Sequence, residues 1–120
     1  MDNFPLDQLI DWNNKPSWKN SARIILKMGY PKSKPLLMDM LQFYQDVNWP
    51  VFPEITEALR EFDKAYLING IEKSTELAMQ DSDYGWIFGL NILLTDLNIH
   101  KDDFNKPALY DYIKANSDKW

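Results

Sequence analysis

The residues best suited to do chemistry form one short cluster in which Asp46, Asn48 and Trp49 precede a proline. Asp and Asn side chains accept hydrogen bonds from the free N–H groups at a helix start. Proline suits the first helical turn because its missing N–H would have no partner there. The cluster is then a structural helix boundary, with Trp49 filling a junction between helix pairs.

The same cluster also fits a recognition site for a peptide or protein. In that interpretation Asp46, Asn48 and Trp49 lie at a helix-pair corner near Asp83 and Trp86 of the next pair. A Trp surrounded by polar groups suits an interface anchor, because its large ring buries much surface at low entropic cost. The sequence leaves both interpretations open.

Two groups of glutamates follow at helical spacing. Glu54, Glu57 and Glu61 are spaced i, i+3, i+7, and Glu72 and Glu76 are one turn apart. Both groups are predicted on solvent-facing sides, where they form a hydrated surface or an acidic strip for a basic partner. Paired carboxylates support acid–base catalysis only if burial separates their pKa values.

Other chemistry is mostly excluded by composition. The chain has no cysteine and one histidine, which removes disulfides, thiolate metal sites and cysteine nucleophiles. The segment 81–85 resembles a calcium loop but lacks the glycine and the glutamate at the required positions. His100 with Asp102 and Asp103 could form a metal-binding or acid–base trio, but a lone histidine in a polar loop is usually exposed to solvent and without a functional role. We expect no metal and no cofactor.

Charge is unevenly distributed along the chain. The net charge is −5, yet residues 12–38 contain six cations and no acid, so the remainder carries −11. The basic segment either pairs internally with the acidic remainder or makes a bipolar surface that steers a charged protein partner. An acidic chain repels nucleic acid.

With no signal peptide and no stretch long enough to span a bilayer, we expect a cytoplasmic protein without membrane or nucleic-acid partners.

A repeated motif, Asn or Ser two residues before Pro, predicts where helices begin; we call each copy a proline mark. Asn or Ser stands two residues before five of the seven prolines, the arrangement of a capping side chain followed by a proline in the first turn. Apolar residues recur at i, i+3, i+4 and i+7 after most of these marks, whereas no segment alternates with period two for long. The five prolines are Pro5, Pro16, Pro35, Pro50 and Pro107.

These signals predict one all-α domain over residues 1–120 with about six antiparallel helices. An N-terminal turn or short helix occupies residues 1–16, a polar loop residues 97–104, and a last helix residues 105–120. Trp18, Trp49 and Trp86 each open a helix at separations near those of helical-pair repeats. Three HEAT-like pairs are favoured over the alternative, a compact closed bundle.

One family resemblance rests on particular residues. Gly29-Tyr30-Pro31, the run Asp46-Val47-Asn48-Trp49-Pro50, and Asp83 followed by Trp86 are similar to the bacterial domain of unknown function 5071. The resemblance covers roughly residues 17–94 and implies a small HEAT-like protein without assigned activity. Gly85 and Gly89 depart from it, because better helix formers are expected there.

The sequence favours a non-catalytic protein–protein interaction module, for example an inhibitor or immunity-type partner of a basic protein. The alternative is a small carboxylate enzyme that uses Asp46, Asp83 and a neighbouring glutamate in a cleft between helix pairs. Convergence of these carboxylates in one pocket would favour the enzyme. The residues expected to bind are Asp46, Asn48, Trp49, Asp83, Trp86, Glu54, Glu57 and Glu61.

Overall fold

A computed structural model describes residues 10, 17–45 and 52–119. These residues contain six α-helices and no strand, which confirms the all-α prediction. Short 3-10 helices cover Lys34–Leu36, Phe43–Gln45 and Lys101–Asp103. The α-helices are α1 (Trp18–Met28), α2 (Leu37–Gln42), α3 (Phe52–Leu59), α4 (Lys64–Gln80), α5 (Tyr84–Asp96) and α6 (Pro107–Asn116).

Local residues define the ends of several helices. Asp83 caps α5 by accepting a hydrogen bond from the Trp86 N–H at 3.0 Å, and Asp63 caps α4 in the same way. Gly29 ends α1 with φ of 73°, a conformation that favours glycine. Pro107 is the first residue of α6, in agreement with the proline mark.

The predicted capping role of the Ser or Asn is wrong at both of the proline marks that the structure describes. Ser33 precedes the 3-10 helix Lys34–Leu36 without a side-chain capping bond. Asn105 does not cap α6, whose N-cap residue is Lys106. The marks at Asn3, Asn14 and Asn48 lie outside the described residues.

Alternate helices pack side by side and run parallel. Helices α1 and α3 contact each other, and Lys19 near the start of α1 pairs with Glu54 near the start of α3 at 3.7 Å. Gly29, just after the end of α1, lies near Glu61, just after the end of α3. On α2 and α4, the Tyr66 hydroxyl donates to the Lys34 carbonyl at 3.2 Å, and Gly70 packs against Leu37 further along. Helix α4 also contacts α6.

Helix α5 lies at the centre of the packing. It contacts α4, α6 and the 3-10 helix Phe43–Gln45, and Ile87, Leu90 and Leu93 on it are fully buried. A Cβ on Gly89 would overlap the carbonyl oxygen of Tyr44. Glycine at this position therefore lets α5 approach the Tyr44 backbone, which explains why a better helix former is absent.

The predicted polar loop 97–104 is more ordered than its composition indicates. It includes the 3-10 helix Lys101–Asp103, and two of its side chains, Ile99 and Phe104, are buried in the core. Asp103 stabilises the turn by accepting a hydrogen bond from the His100 N–H at 2.8 Å. The predicted N-terminal turn lies almost wholly outside the described residues.

Candidate functional site: a double groove around Arg60

The predicted recognition corner is only partly described, since Asp46, Asn48 and Trp49 lie outside the described residues. Of the remaining two members, Asp83 is used as the cap of α5. Trp86 is only 6% exposed, and its indole N–H donates to the Leu41 carbonyl at 3.1 Å. Trp86 therefore offers little surface to a partner, contrary to what an interface anchor requires.

The glutamates at i, i+3, i+7 do not form one helical row. Helix α3 ends at Leu59, so Glu61 lies in the following turn. Glu54 is largely buried, with one oxygen facing Lys19 and the other, Oε1, without a hydrogen-bond partner. Glu57 is exposed and pairs with Arg60 at 3.3 Å. The predicted acidic strip is therefore reduced to Glu57 and Glu61.

The prediction of a solvent-facing pair fails for Glu72. Its side chain is 4% exposed, and its Oε2 accepts a hydrogen bond from the Lys106 N–H at 2.7 Å. Asn105 donates to the other oxygen at 3.5 Å. Glu72, which lies on α4, thus accepts a hydrogen bond from a backbone N–H at the start of α6. This contact joins segments distant in sequence, and no local spacing indicates it. Glu76 is more exposed and pairs with the Lys106 ammonium at 3.2 Å.

The trio around His100 is a local structural unit. Asp103 accepts the His100 N–H and pairs with Lys64 at 2.9 Å. The His100 N–H bond and the Lys64 ammonium together lower the pKa of Asp103 below its ordinary range. Within residues 10, 17–45 and 52–119, no three His, Asp or Glu side chains are grouped so that they could hold a metal ion.

The basic segment is paired only in part. Lys19 meets Glu54, and the Lys34 ammonium lies 4.6 Å from the centre of the Tyr66 ring. Among the described residues, Arg23, Lys27 and Lys32 form no ion pair.

No described helix combines the length and the apolar character needed to cross a membrane.

A groove of about 290 Å³ opens where α3 ends, α4 begins and α5 runs into the following loop. Its apolar lining consists mostly of core residues, since Leu59 is fully buried and Phe62, Leu67 and Ile99 are at most 7% exposed. The groove thus exposes a small part of the core at the surface. Its full lining is Leu59, Arg60, Phe62, Lys64, Leu67, Leu97 and Ile99.

A second groove of about 370 Å³ adjoins the first, and Arg60 lines both. Pro53, Thr56, Glu57 and Asp96 complete its lining. Behind it, the Thr56 hydroxyl is hydrogen-bonded to the Tyr44 hydroxyl, and burial raises the pKa of Tyr44. We call the two grooves together the double groove.

Sequence reasoning identified only Glu57 among the residues that line the double groove. Leu59 and Phe62 follow the helical apolar spacing of a core face, and Leu97 and Ile99 lie in the predicted polar loop 97–104. Their buried surfaces meet only because α3, α4 and α5 bring their ends close together. An apolar Leu and Ile inside a polar loop were the one available signal.

Comparison with known proteins bears on the family alone. Neither the comparison with curated proteins nor the comparison with solved structures found a significant match. A family model described as Domain of unknown function (DUF5071) matches residues 13–115, well over half of the chain. This match extends past the resemblance at residues 17–94 to include most of α6. The chain therefore belongs to the DUF5071 family.

Proposed function

We propose that this chain is a non-catalytic protein–protein interaction module built from three HEAT-like helical pairs. The helical pairs are supported by the packing of alternate helices. Helices α1 and α3 contact each other in parallel, as do α2 and α4, and α4 also contacts α6. Contact between equivalent helices of successive pairs is how stacked repeats bury a continuous core.

The double groove is the observation that carries the proposal. It combines an apolar floor of core residues with charged side chains at the rim, including Arg60 and Glu57. A concave site with apolar side chains at its floor and charged side chains at its rim has the arrangement of an interface core and rim. Because the floor belongs to the core, its shape is held by the fold.

The proposed partner is a basic protein. Glu57 and Asp96 are exposed acids that line the double groove. The net charge of −5 favours encounter with a cation-rich surface. An inhibitor or immunity-type role against a basic protein is the narrower form of this proposal. A bacterial cytoplasmic setting completes it, because the chain has no cysteine and the resemblance is to a bacterial family.

The carboxylate enzyme remains the alternative, and its requirement is specific. Asp46, Asp83 and a glutamate would have to converge in one pocket. Asp83 is occupied at the start of α5, and Glu54 and Glu57 lie on α3 with partners of their own. These separate uses favour the binding module over the enzyme.

Affinity capture from the native host, followed by mass spectrometry, tests the proposal. The tagged full chain is compared with Glu57→Lys, with Trp49→Ala, and with Asp81→Lys as a control for charge reversal. We expect Glu57→Lys, which reverses a charge in the double groove, to lose a specific partner that Asp81→Lys retains. Trp49→Ala separately tests the recognition site that the sequence predicts at Trp49. Far-UV circular dichroism checks that all variants stay folded. Identical capture by all folded variants would exclude a binding surface at these residues.

A further inference from the structure

We infer that the double groove binds a short peptide segment in which a large apolar side chain is followed, within about one helical turn, by Lys or Arg. This inference rests on the proposed interaction function and specifies its partner. The apolar side chain occupies the groove lined by Leu97 and Ile99. The cation occupies the adjoining groove beside Glu57 and Asp96.

The first groove has the dimensions and lining for one apolar anchor. Its volume of about 290 Å³ lies just below the range of about 300–1,000 Å³ that is usual for ligand pockets. Five of its seven lining residues are apolar. An anchoring side chain placed there would complete the packing around Phe62 and Leu67, whose edges form the floor.

The second groove supplies the charge. Asp96 is exposed at the end of α5 and forms no ion pair with any described residue. Among the described residues, Glu57 pairs only with Arg60, one turn further along the chain, in an exposed type of pair that contributes little. A cation from a partner can therefore pair with Asp96 and share Glu57, which makes the groove complementary to Lys or Arg.

The cations at the rim do not cancel this preference. The Lys64 ammonium beside the apolar groove is already paired with Asp103 at 2.9 Å. Arg60 lies between the two grooves, where its several N–H donors can bond peptide carbonyls between the anchor and the cation. The site thus has an apolar end, a donor in the middle and an acidic end.

A second copy of this chain is the competing occupant. Its helix α1 presents Ile24, 45% exposed, between Arg23 and Lys27. That face has the same apolar and basic character, but it is a continuous helix surface rather than a single projecting anchor. A contact of this kind would join unlike surfaces and build either closed rings or open chains of molecules. We therefore assign the site to a segment of another protein.

Selection of a random peptide display library against the purified full chain tests the inference. We expect enriched peptides to share an apolar residue followed within four positions by Lys or Arg. A synthetic fluorescent peptide with this consensus is then titrated by anisotropy. We expect Asp96→Lys to weaken its binding at least tenfold and Asp81→Lys to leave it unchanged.

The apolar half is tested separately with Leu97→Asn, and with a peptide whose anchor is alanine. Each change should weaken binding at least tenfold, while far-UV circular dichroism shows an intact fold. If Leu97→Asn unfolds the chain, the alanine peptide still tests this half, because it leaves the protein unaltered.

Three outcomes would overturn the inference: selection of acidic peptides or of none, binding insensitive to both Asp96 and Leu97, or self-association abolished by Arg23→Glu. Sedimentation velocity measures the last. If capture of the host partner remains sensitive to Glu57 in any of these cases, the interaction function survives with a different partner chemistry. If capture is also insensitive to Glu57 and Trp49, both proposals are rejected.

Discussion

Glu72 shows how a single side chain can change its role through a contact distant in sequence. It is spaced for a solvent-facing helix position, yet it is buried and accepts the Lys106 N–H at the start of α6. A helix start leaves several N–H groups without partners inside the helix. Glu72 therefore stabilises α6 from α4, in place of the expected Asn105 cap.

Replacing Glu72 should destabilise the fold, and the loss should be larger when the new side chain cannot accept a hydrogen bond from the Lys106 N–H. Glu72→Ala removes the acceptor of the Lys106 N–H, and we expect a loss of about 1–3 kcal/mol in the free energy of unfolding. Glu72→Gln keeps a carbonyl acceptor and should lose less. Urea denaturation measures both. Glu76→Gln, which breaks an exposed pair, is the control and should cost less than about 1 kcal/mol.

The lowered pKa of Asp103 predicts a pH-dependent contribution to stability. The carboxylate is favoured in the folded state by the His100 N–H and by Lys64. Its contribution is therefore present above the unfolded pKa of about 4 and is lost as the pH falls through the lower folded value. Asp103→Asn should be less stable than the wild type at pH 7, and the difference should vanish in acid. A constant difference from neutral pH into acid would contradict this.

Asp39 should behave in the opposite way. Partial burial raises its pKa, so its charged form is disfavoured in the folded state. Its favourable contribution is present below the unfolded pKa and is lost as the pH rises through the folded value. Asp39→Asn should therefore be more stable than the wild type at pH 7 and lose this advantage in acid. Thermal unfolding across pH compares the two.

At the level of elements, close approach between helices depends on two glycines that face different obstacles. Gly89 on α5 faces the carbonyl oxygen of Tyr44, whereas Gly70 on α4 faces the Cδ2 atom of Leu37, which lies 2.5 Å from where an alanine methyl carbon would stand. A backbone carbonyl cannot move without shifting its element, but the end of a leucine side chain can rotate. The fold should therefore tolerate an added methyl group at Gly70 better than at Gly89.

Gly89→Ala should accordingly destabilise the chain more than Gly70→Ala. In an exposed helix this change would stabilise by about 1 kcal/mol. Here we expect Gly89→Ala to cost at least about 1–3 kcal/mol through overpacking against Tyr44, and Gly70→Ala to cost less. Chemical denaturation of the two variants measures the difference. Equal midpoints would show that α5 can move away from Tyr44 freely.

At the level of the whole molecule, the charges without an ion pair among the described residues differ in sign between two surfaces. Arg23 and Lys27 are such cations on α1, and Asp96 is such an acid in the double groove, where Glu57 and Arg60 pair with each other. Such separation acts mainly on the rate of encounter with a charged partner. It is screened by salt over about 8–10 Å at moderate ionic strength.

Association with the proposed basic partner should therefore slow as salt is added. With the selected peptide as the probe, we expect the association rate to fall as NaCl is raised from roughly 50 to 500 mM, as in other steered encounters. The dissociation rate, set by the apolar anchor, should change less. Stopped-flow fluorescence separates the two rates. An association rate independent of salt would show that charge does not guide the encounter.

The sequence by itself determined the helices, because their signals are local. Apolar spacing indicated about six helical segments, and Pro107 indicated the start of α6. The family resemblance rested on local residues too, and the family match confirms it.

The tertiary structure alone decided which side chains share a surface. It buried Trp86 and Glu72, separated Glu61 from the α3 row, and joined Leu59, Leu97 and Ile99 into one groove. Residues distant in sequence meet only when helices pack, and a helical period carries no information about which ends come together. The candidate site depends on those ends, so it could not be found from spacing.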